Sequence, residues 1–393
     1  MTQTKRLLSI DVFRSITMFF MLFVNDLSGV LHIPLWIDHV KANEDGMHFA
    51  DTIFPIFLFI SGLSIPLALG KRMADGATFS DTALHILKRS FALIAMGFFH
   101  VNMENYNDAS FLPIGVWELL LTLSFFLIWI TYPDSFSRIK KNILIGTGVV
   151  ILIILAILFK GGTFIKPIGL RPYWWGILGI IGWAYFICAT IFFLCKGNLK
   201  ILLLFLTIFL CLNIYVHQTV FEIDFDINLW IIKDGSSLFI MMAGIIISVL
   251  HTKFVNSGNV KIMWFTFTLT GLLLISAGFT IRPYSEGISK IHSTPAWIFI
   301  CTGIAVFIFE FLIWLIDIKG KYDWFKIIKP AGIGTLTCYL LPYLIFAIYQ
   351  ITDFSYPDWL NEGAGGILRS VAMAFIVIFT AGFLEKRKIR LHI

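Results

Sequence analysis

Residues 142–160 read NILIGTGVVILIILAILFK, with no charged side chain before Lys160. At about 1.5 Å per residue, a helix over this run is close in length to the roughly 30 Å hydrocarbon core of a bilayer. A helix that is apolar all round offers water no polar face, so lipid is its expected solvent. Eleven further apolar runs lie near 9–30, 50–70, 83–101, 111–131, 172–195, 199–216, 236–251, 261–281, 295–317, 331–351 and 365–384. They leave no stretch long enough for a soluble domain. The expected fold class is therefore an all-α polytopic membrane protein of about twelve transmembrane helices, with 1–393 a single domain. Composition agrees: 58% hydrophobic and 14% charged residues are too few polar groups to cover a water-facing surface. The 40 Phe and 12 Trp suit acyl chains and headgroup interfaces. No internal repeat or low-complexity linker divides the chain into fused halves.

Charge sets the orientation. With the N-terminus inside, alternate inter-span segments hold 21 of the 30 Lys and Arg and the opposite segments hold 7, while Arg14 and Arg369 lie within spans. Positively charged loops stay in the cytoplasm, so twelve spans place both termini there, and eleven would break the alternation. The stretch before the first run is too short for the n-region of a cleaved signal peptide, so that run is expected to remain. Cys188, Cys195, Cys211, Cys301 and Cys338 fall in or beside apolar runs without CxxC or Cys/His spacing, and read as packing residues. The formal charge of +6 is scattered over short loops rather than one face, which fits topology better than nucleic-acid binding.

Ionisable groups inside a bilayer are costly, so those in or beside a span are functional candidates. Asp11 and Arg14, three apart on one helix face, can pair, and a structural clamp explains them as well as a functional role does. Asn25 and Asp26 sit toward the outer end of the same run, where a helix-end cap is the simple alternative. The loop that follows holds His32, Asp38, His39, Glu44, Asp45 and His48, and Asp51 opens the second run; this is the densest titratable patch in the chain. A neutral imidazole beside a carboxylate is a ready general base, although a loop histidine is more often solvated or capping. A zinc site from His32, His39 and His48 lacks HExxH or tetrahedral spacing, and no metal is expected. Further candidates are His100 and Asn102 at the end of the third run, Glu118 in the fourth, Glu310 in the tenth and Arg369 in the last. Glu118, in the outer third of its run, is expected to border the same outer cavity as His39. GLRPYWWG at 169–176 and RPYSEGISKIHSTP at 282–295 bring Trp174, Trp175, Arg171, Arg282 and Lys290 to the outer surface. Aromatic faces suit a sugar ring, and an interfacial belt has the same composition.

The stretches RLLSIDVFRSITMFFMLFVND (6–26) and HVKANEDGMHFADTIFPIFLFISGLSIP (39–66) resemble the heparan-alpha-glucosaminide N-acetyltransferase family, in particular its bacterial membrane homologues. The resemblance rests on Arg6, Ser9, Asp11 and Arg14, on Val24-Asn25, and on Asp51 with Phe54-Pro55 leading into Phe-Leu-Phe-Ile. Later stretches, TPAW (294–297), LIDIKG (315–320) and PAGIGTLTCYLLPY (330–343), look like the same branch, so the resemblance extends over nearly the whole chain. It implies a transmembrane acyltransferase of the bacterial inner membrane that takes acetyl-CoA from the cytoplasm and acetylates an amino sugar on the opposite side. The family's catalytic histidine lies in the outer loop before the Asp-x-x-Phe-Pro helix and matches His39, with His48 as the rival; its asparagine at the end of the first helix matches Asn25. The sequence departs from the animal enzyme in a longer His39-to-Asp51 spacing and in Ser15 where glycine is usual. No counterpart of the large outer domain of the animal enzyme precedes the first run, so a small amino sugar or cell-wall fragment is the expected acceptor.

On this reading His39 deprotonates the acceptor as it attacks the thioester and Asn25 stabilises the oxyanion, with Asp11, Arg14, Asp51 and Glu118 in support. An acetyl-histidine intermediate is the alternative route. Lys71, Arg72, Arg138 and Lys140 could bind the coenzyme A phosphates at the inner mouth, although topology alone accounts for them. A homodimer is compatible with this architecture. Two other classes compete. A transporter of N-acetylglucosamine or related sugars would use the same helices and aromatics, and a non-catalytic scaffold would bind no small molecule. Titratable groups crowded into one outer loop, rather than at the midplane, favour the enzyme.

Overall fold

The computed structural model describes residues 7–391 apart from 108, 134, 164–165, 219–230 and 232. Lys5 and Arg6, counted above among the inner-side charges, lie outside the described residues. The helices are α1 (Leu8–Leu27), α2 (Phe49–Ala74), α3 (Phe79–Met103), α4 (Ile114–Trp129), α5 (Arg138–Leu158), α6 (Gly176–Leu194), α7 (Leu199–His217), α8 (Ser236–Asn256), α9 (Val260–Ile281), α10 (Pro295–Leu312), α11 (Lys329–Ile333), α12 (Thr335–Ile351) and α13 (Gly363–Lys386). Each of the twelve apolar runs is helical, and among the described residues ten helices are long and apolar enough to cross a membrane. The chain is an all-α polytopic membrane protein by this measure.

α4 and α12, at 16 and 17 residues, are shorter than the runs that contain them. Pro113 starts α4 late, and the backbone at Ile130 turns extended with ψ 143°. Gly334, at φ −101° and ψ 44°, divides the 331–351 run into α11 and α12. α10 instead runs on through a π-helical turn at Ile313–Ile318.

The bundle is layered. The most apolar stretches of α10 and α8 are 72% and 67% buried against other helices, whereas those of α5 and α7 are 11% and 17% buried. α5 and α7 therefore turn Ile143, Ile153, Ile157, Leu203 and Leu204 outward, as lipid-facing helices do. Between helices in lipid, close approach through small residues replaces the hydrophobic drive. A Cβ on Gly62 of α2 would lie 2.0 Å from the carbonyl oxygen of Met241, and one on Gly244 of α8 would lie 2.1 Å from that of Phe59. Gly97 and Gly179 make the same approach between α3 and α6.

At the end of the bundle where α1 stops and α2 starts, three loops lock together. Leu31 donates its amide to Asn361 O at 2.9 Å, and Gly363 donates to Leu31 O at 2.8 Å. Asp45 accepts from Ile288 N at 2.6 Å and from Arg282 Nε at 2.9 Å, and Gly46 N donates to Ile288 O at 2.9 Å. Burial alone would raise the Asp45 pKa, but the Ile288 amide and the Arg282 guanidinium outweigh it and hold this carboxyl below its ordinary range. Arg282 and Lys290 share one segment, so this latch fixes where Lys290 can reach.

Candidate active site

His39 and Asp51 are twelve residues apart, and the loop between them folds back so that the imidazole meets the first turn of α2. His39 Nδ1 lies 2.7 Å from Asp51 Oδ1. The other carboxylate oxygen, Oδ2, accepts from the amides of Val40 at 3.1 Å and His48 at 3.0 Å. Asp51 is buried, at 1% exposure, and its backbone oxygen accepts from Trp297 Nε1 at 3.2 Å, which ties α2 to α10. A carboxylate held this rigidly accepts a hydrogen bond from Nδ1–H, which keeps the ring proton on Nδ1 and leaves Nε2 with the free lone pair.

That imidazole opens into a cavity of about 510 Å³. Asn25 and Met21 of α1, Ile53 and Phe54 of α2, Trp175 and Trp183 at α6, and Asp234, Ser236 and Ser237 at the start of α8 line it, with Lys290 and Trp297. Asn25 is exposed within the fold even though its neighbours Val24 and Asp26 are buried, so its amide is available to a ligand. Trp174 and Trp175 also belong to the wall, and Trp174 Nε1 donates to Glu104 at 3.0 Å. Their segment is anchored by Asn102, whose side chain pairs with Arg171 N at 3.0 Å and Arg171 O at 2.9 Å. The aromatics singled out in the sequence thus line the candidate site.

Two further groups join them: Lys290, marked in the sequence only as an outer-surface cation, and Asp234, which the sequence did not single out. The Lys290 Nζ lies 3.2 Å from His39 Nδ1 and 3.3 Å from Nε2. Burial lowers the pKa of this ammonium below its ordinary value, against the raising pull of the Asp51 carboxylate. Across the wall, Asp234 is held by His217, with Nε2 at 3.5 Å from Oδ2, and His217 Nδ1 pairs in turn with Glu286 Oε2 at 3.0 Å. Lys290 and Asp234 come from segments far from His39 in the chain, and only folding makes them neighbours of one cavity.

The remaining candidates separate from the site. His48 is not among the described residues lining the cavity; its amide supports Asp51. His32 pairs with Glu362 at 3.0 Å on the outer loops. Asp26 meets Arg369 at 3.3 Å and Ser370 Oγ at 2.8 Å, joining α1 to α13. Glu310 accepts from Thr268 at 2.8 Å. Asp11 and Arg14 pair at 3.8 Å, and Arg14 also reaches Ser64 at 2.6 Å, at the opposite end of α1 from Asn25. Glu118 does not border the cavity as expected. It is buried on α4, which packs on α5 and α12. Lys71 and Arg72 end α2, and Arg89 of α3 stacks on Tyr185 of α6, 4.8 Å from the ring centre, whereas Arg138 and Lys140 are exposed on peripheral α5. Among the described residues no three His, Cys, Asp or Glu side chains are grouped to hold a metal ion.

No family model matches the chain. It is 31% identical over 145 residues to heparan-alpha-glucosaminide N-acetyltransferase of Mus musculus, covering 34% of this chain and 21% of that protein. It is 38% identical over 101 residues to the protein of the same name from Homo sapiens, covering 26% of this chain and 14% of the other. The aligned regions are therefore about a third and a quarter of the chain, less than the near-complete resemblance expected from the later motifs, and the chain spans only about a fifth and a seventh of these relatives' lengths. These likenesses, joined to ten membrane-length helices, support a multi-pass membrane protein with acyltransferase-like character.

Proposed function

We propose that the chain is a transmembrane acetyltransferase of the cytoplasmic membrane, moving an acetyl group from cytoplasmic acetyl-CoA to the amine of a small amino sugar at the opposite face. The observation behind this reading is the rigid Asp51–His39 pair opening into the same cavity as the free amide of Asn25. His39 Nε2 takes a proton from the acceptor amine as its nitrogen attacks the thioester carbonyl, and Asp51 stabilises the imidazolium that forms. The Asn25 amide donates to the carbonyl oxygen as its negative charge develops. The carbon–sulfur bond breaks, and the thiolate takes the proton back from His39 and leaves as coenzyme A. Asp234, held by His217, offers a fixed carboxylate to the hydroxyls or ammonium of the sugar, and the indole faces of Trp175 and Trp183 stack on its ring.

α2 connects the two ends of the reaction. From Asp51 to Lys71 it runs for about 30 Å at 1.5 Å per residue, so the base and the basic residues proposed to hold the nucleotide phosphates stand on one rigid helix. Arg89 joins Lys71 and Arg72 as a phosphate ligand on this reading, and Arg138 and Lys140 do not. Both termini are cytoplasmic, which puts the His39 loop outside.

The test is detergent-purified protein incubated with radiolabelled acetyl-CoA and glucosamine. Transfer is expected in wild type and in His48→Ala, with a loss of about 10²- to 10⁴-fold in His39→Ala. Full transfer by His39→Ala would remove the assigned base. No transfer and no acetyl-CoA binding by wild type would overturn the enzyme and favour sugar uptake, measured in proteoliposomes.

A further inference from the structure

The cavity contains a primary amine of the protein's own next to the base. Lys290 Nζ sits 3.2 Å from His39 Nδ1 and 3.3 Å from Nε2, and since Nδ1–H donates its hydrogen bond to Asp51, the nitrogen left to accept a proton from that amine is Nε2. The amine thus stands within reach of the base beside which the proposed reaction places the amine of the acceptor sugar, and a small rotation of its side chain brings it onto Nε2. We propose that Lys290 is itself an acetyl acceptor, so that in the absence of sugar the protein acetylates its own Lys290 and caps its active site; the idea rests on the acetyltransferase reading above.

The position of Lys290 is built rather than incidental. Asp45 grips its segment through Arg282 and the Ile288 amide. A tight turn follows, in which Ser289 N donates to Thr294 Oγ1 at 3.0 Å and Ser293, at φ +59°, donates its amide to Lys290 O at 3.2 Å. The side chain is thereby directed inward to the cavity wall, whereas Lys41 and Lys160, also in loops predicted to face outward, are exposed. Its partial burial favours the neutral, nucleophilic amine, a requirement that an exposed lysine does not meet at neutral pH.

The step balances. The Nζ lone pair forms the bond to the acetyl carbon, the carbon–sulfur bond breaks, and one Nζ proton passes to His39 Nε2 and then to the departing thiolate. The products are N-acetyllysine and coenzyme A. The amide nitrogen formed has no basic lone pair, so the modified side chain is neutral and fills the place of the acceptor next to His39. A sugar amine at high concentration competes for the same base and spares Lys290.

Purified wild-type protein is incubated with acetyl-CoA, with and without excess glucosamine, and acetylation of each lysine is read by peptide mass spectrometry. Acetyl is expected on Lys290 well above Lys41 and Lys160, falling when glucosamine is present, and more than about tenfold lower in His39→Ala. The glucosamine competition needs no variant and stands if His39→Ala fails to fold. Acetylated sugar with Lys290 unmodified overturns this inference and leaves the acetyltransferase intact. Equal labelling of Lys290 in His39→Ala, or of Lys290 and Lys41, shows general chemical acetylation and overturns it also. If neither sugar nor Lys290 gains acetyl, the acetyltransferase reading fails together with it.

Discussion

The tautomer of His39 depends on what faces Nδ1. As a carboxylate, Asp51 can accept there, with its second oxygen fixed by two backbone amides. Asp51→Asn keeps the shape of the side chain, and its amide can donate to Nδ1 instead, placing the ring proton on Nε2 where the base must be free. Activity of Asp51→Asn is expected to fall by about 10²- to 10⁴-fold in kcat, with KM for either substrate little changed, because binding surfaces are untouched. Steady-state kinetics on both substrates checks this, and a change confined to KM would show Asp51 acting on binding instead. The sequence showed His32, His39, His48 and Asp51 as one titratable patch at the start of a helix, and only the family resemblance singled out His39 among the histidines. Lys290 was visible only as an outer-loop cation, since nothing in a loop sequence states that it meets a residue 251 positions away. Glu118 shows the converse. Its helix is apolar on all sides, so the sequence has no face by which to tell the cavity side from the α5 side.

At the scale of helices, existence was legible and length less so. Hydropathy reports burial in lipid without any knowledge of partners, which is why every run became a helix. Helix ends are set by local backbone chemistry within an apolar run, and Pro113 and Gly334 shortened α4 and α12 there. Which helices touch was not legible at all, because the sequence does not say which neighbour a helical glycine meets, or whether it meets one. Gly62 and Gly70 lie on the same helix, yet a Cβ at Gly62 would overlap Met241 O whereas one at Gly70 would meet nothing within 4 Å. Gly62→Ala is therefore expected to push α8 from α2 and lower stability by about 1–3 kcal/mol. Gly70→Ala is expected to leave stability unchanged or slightly raised. Thermal unfolding of the detergent-solubilised variants compares them, and equal midpoints would mean that α2 and α8 are not in close contact. Both helices line the cavity, so activity should track the shift.

For the whole molecule, the decisive quantity is which end of the bundle faces out. The cavity, the His39 loop and the latch between Asp45 and Arg282 all lie at one end, and Lys71 and Arg72 lie at the other. The positive-charge bias assigns the second end to the cytoplasm, where acetyl-CoA is made, and the proposed chemistry needs that assignment: reversed, the base would meet acetyl donor and acceptor on the same side and no transmembrane passage would be required. Lys41 and Lys140 are both exposed and fall on opposite sides of this assignment. With Cys195 and Cys211 changed to Ser to remove partly exposed and exposed thiols, Lys41→Cys in intact cells is expected to react with a membrane-impermeant maleimide. Lys140→Cys should react only after permeabilisation. Labelling in the reverse order would invert the molecule, placing His39 in the cytoplasm and turning a transmembrane acetyl transfer into an ordinary cytoplasmic one. Labelling of both from outside would mean an even number of crossings between them, which would make one of α2, α3 or α4 a helix that does not span, and 16-residue α4 is the candidate its length marks out.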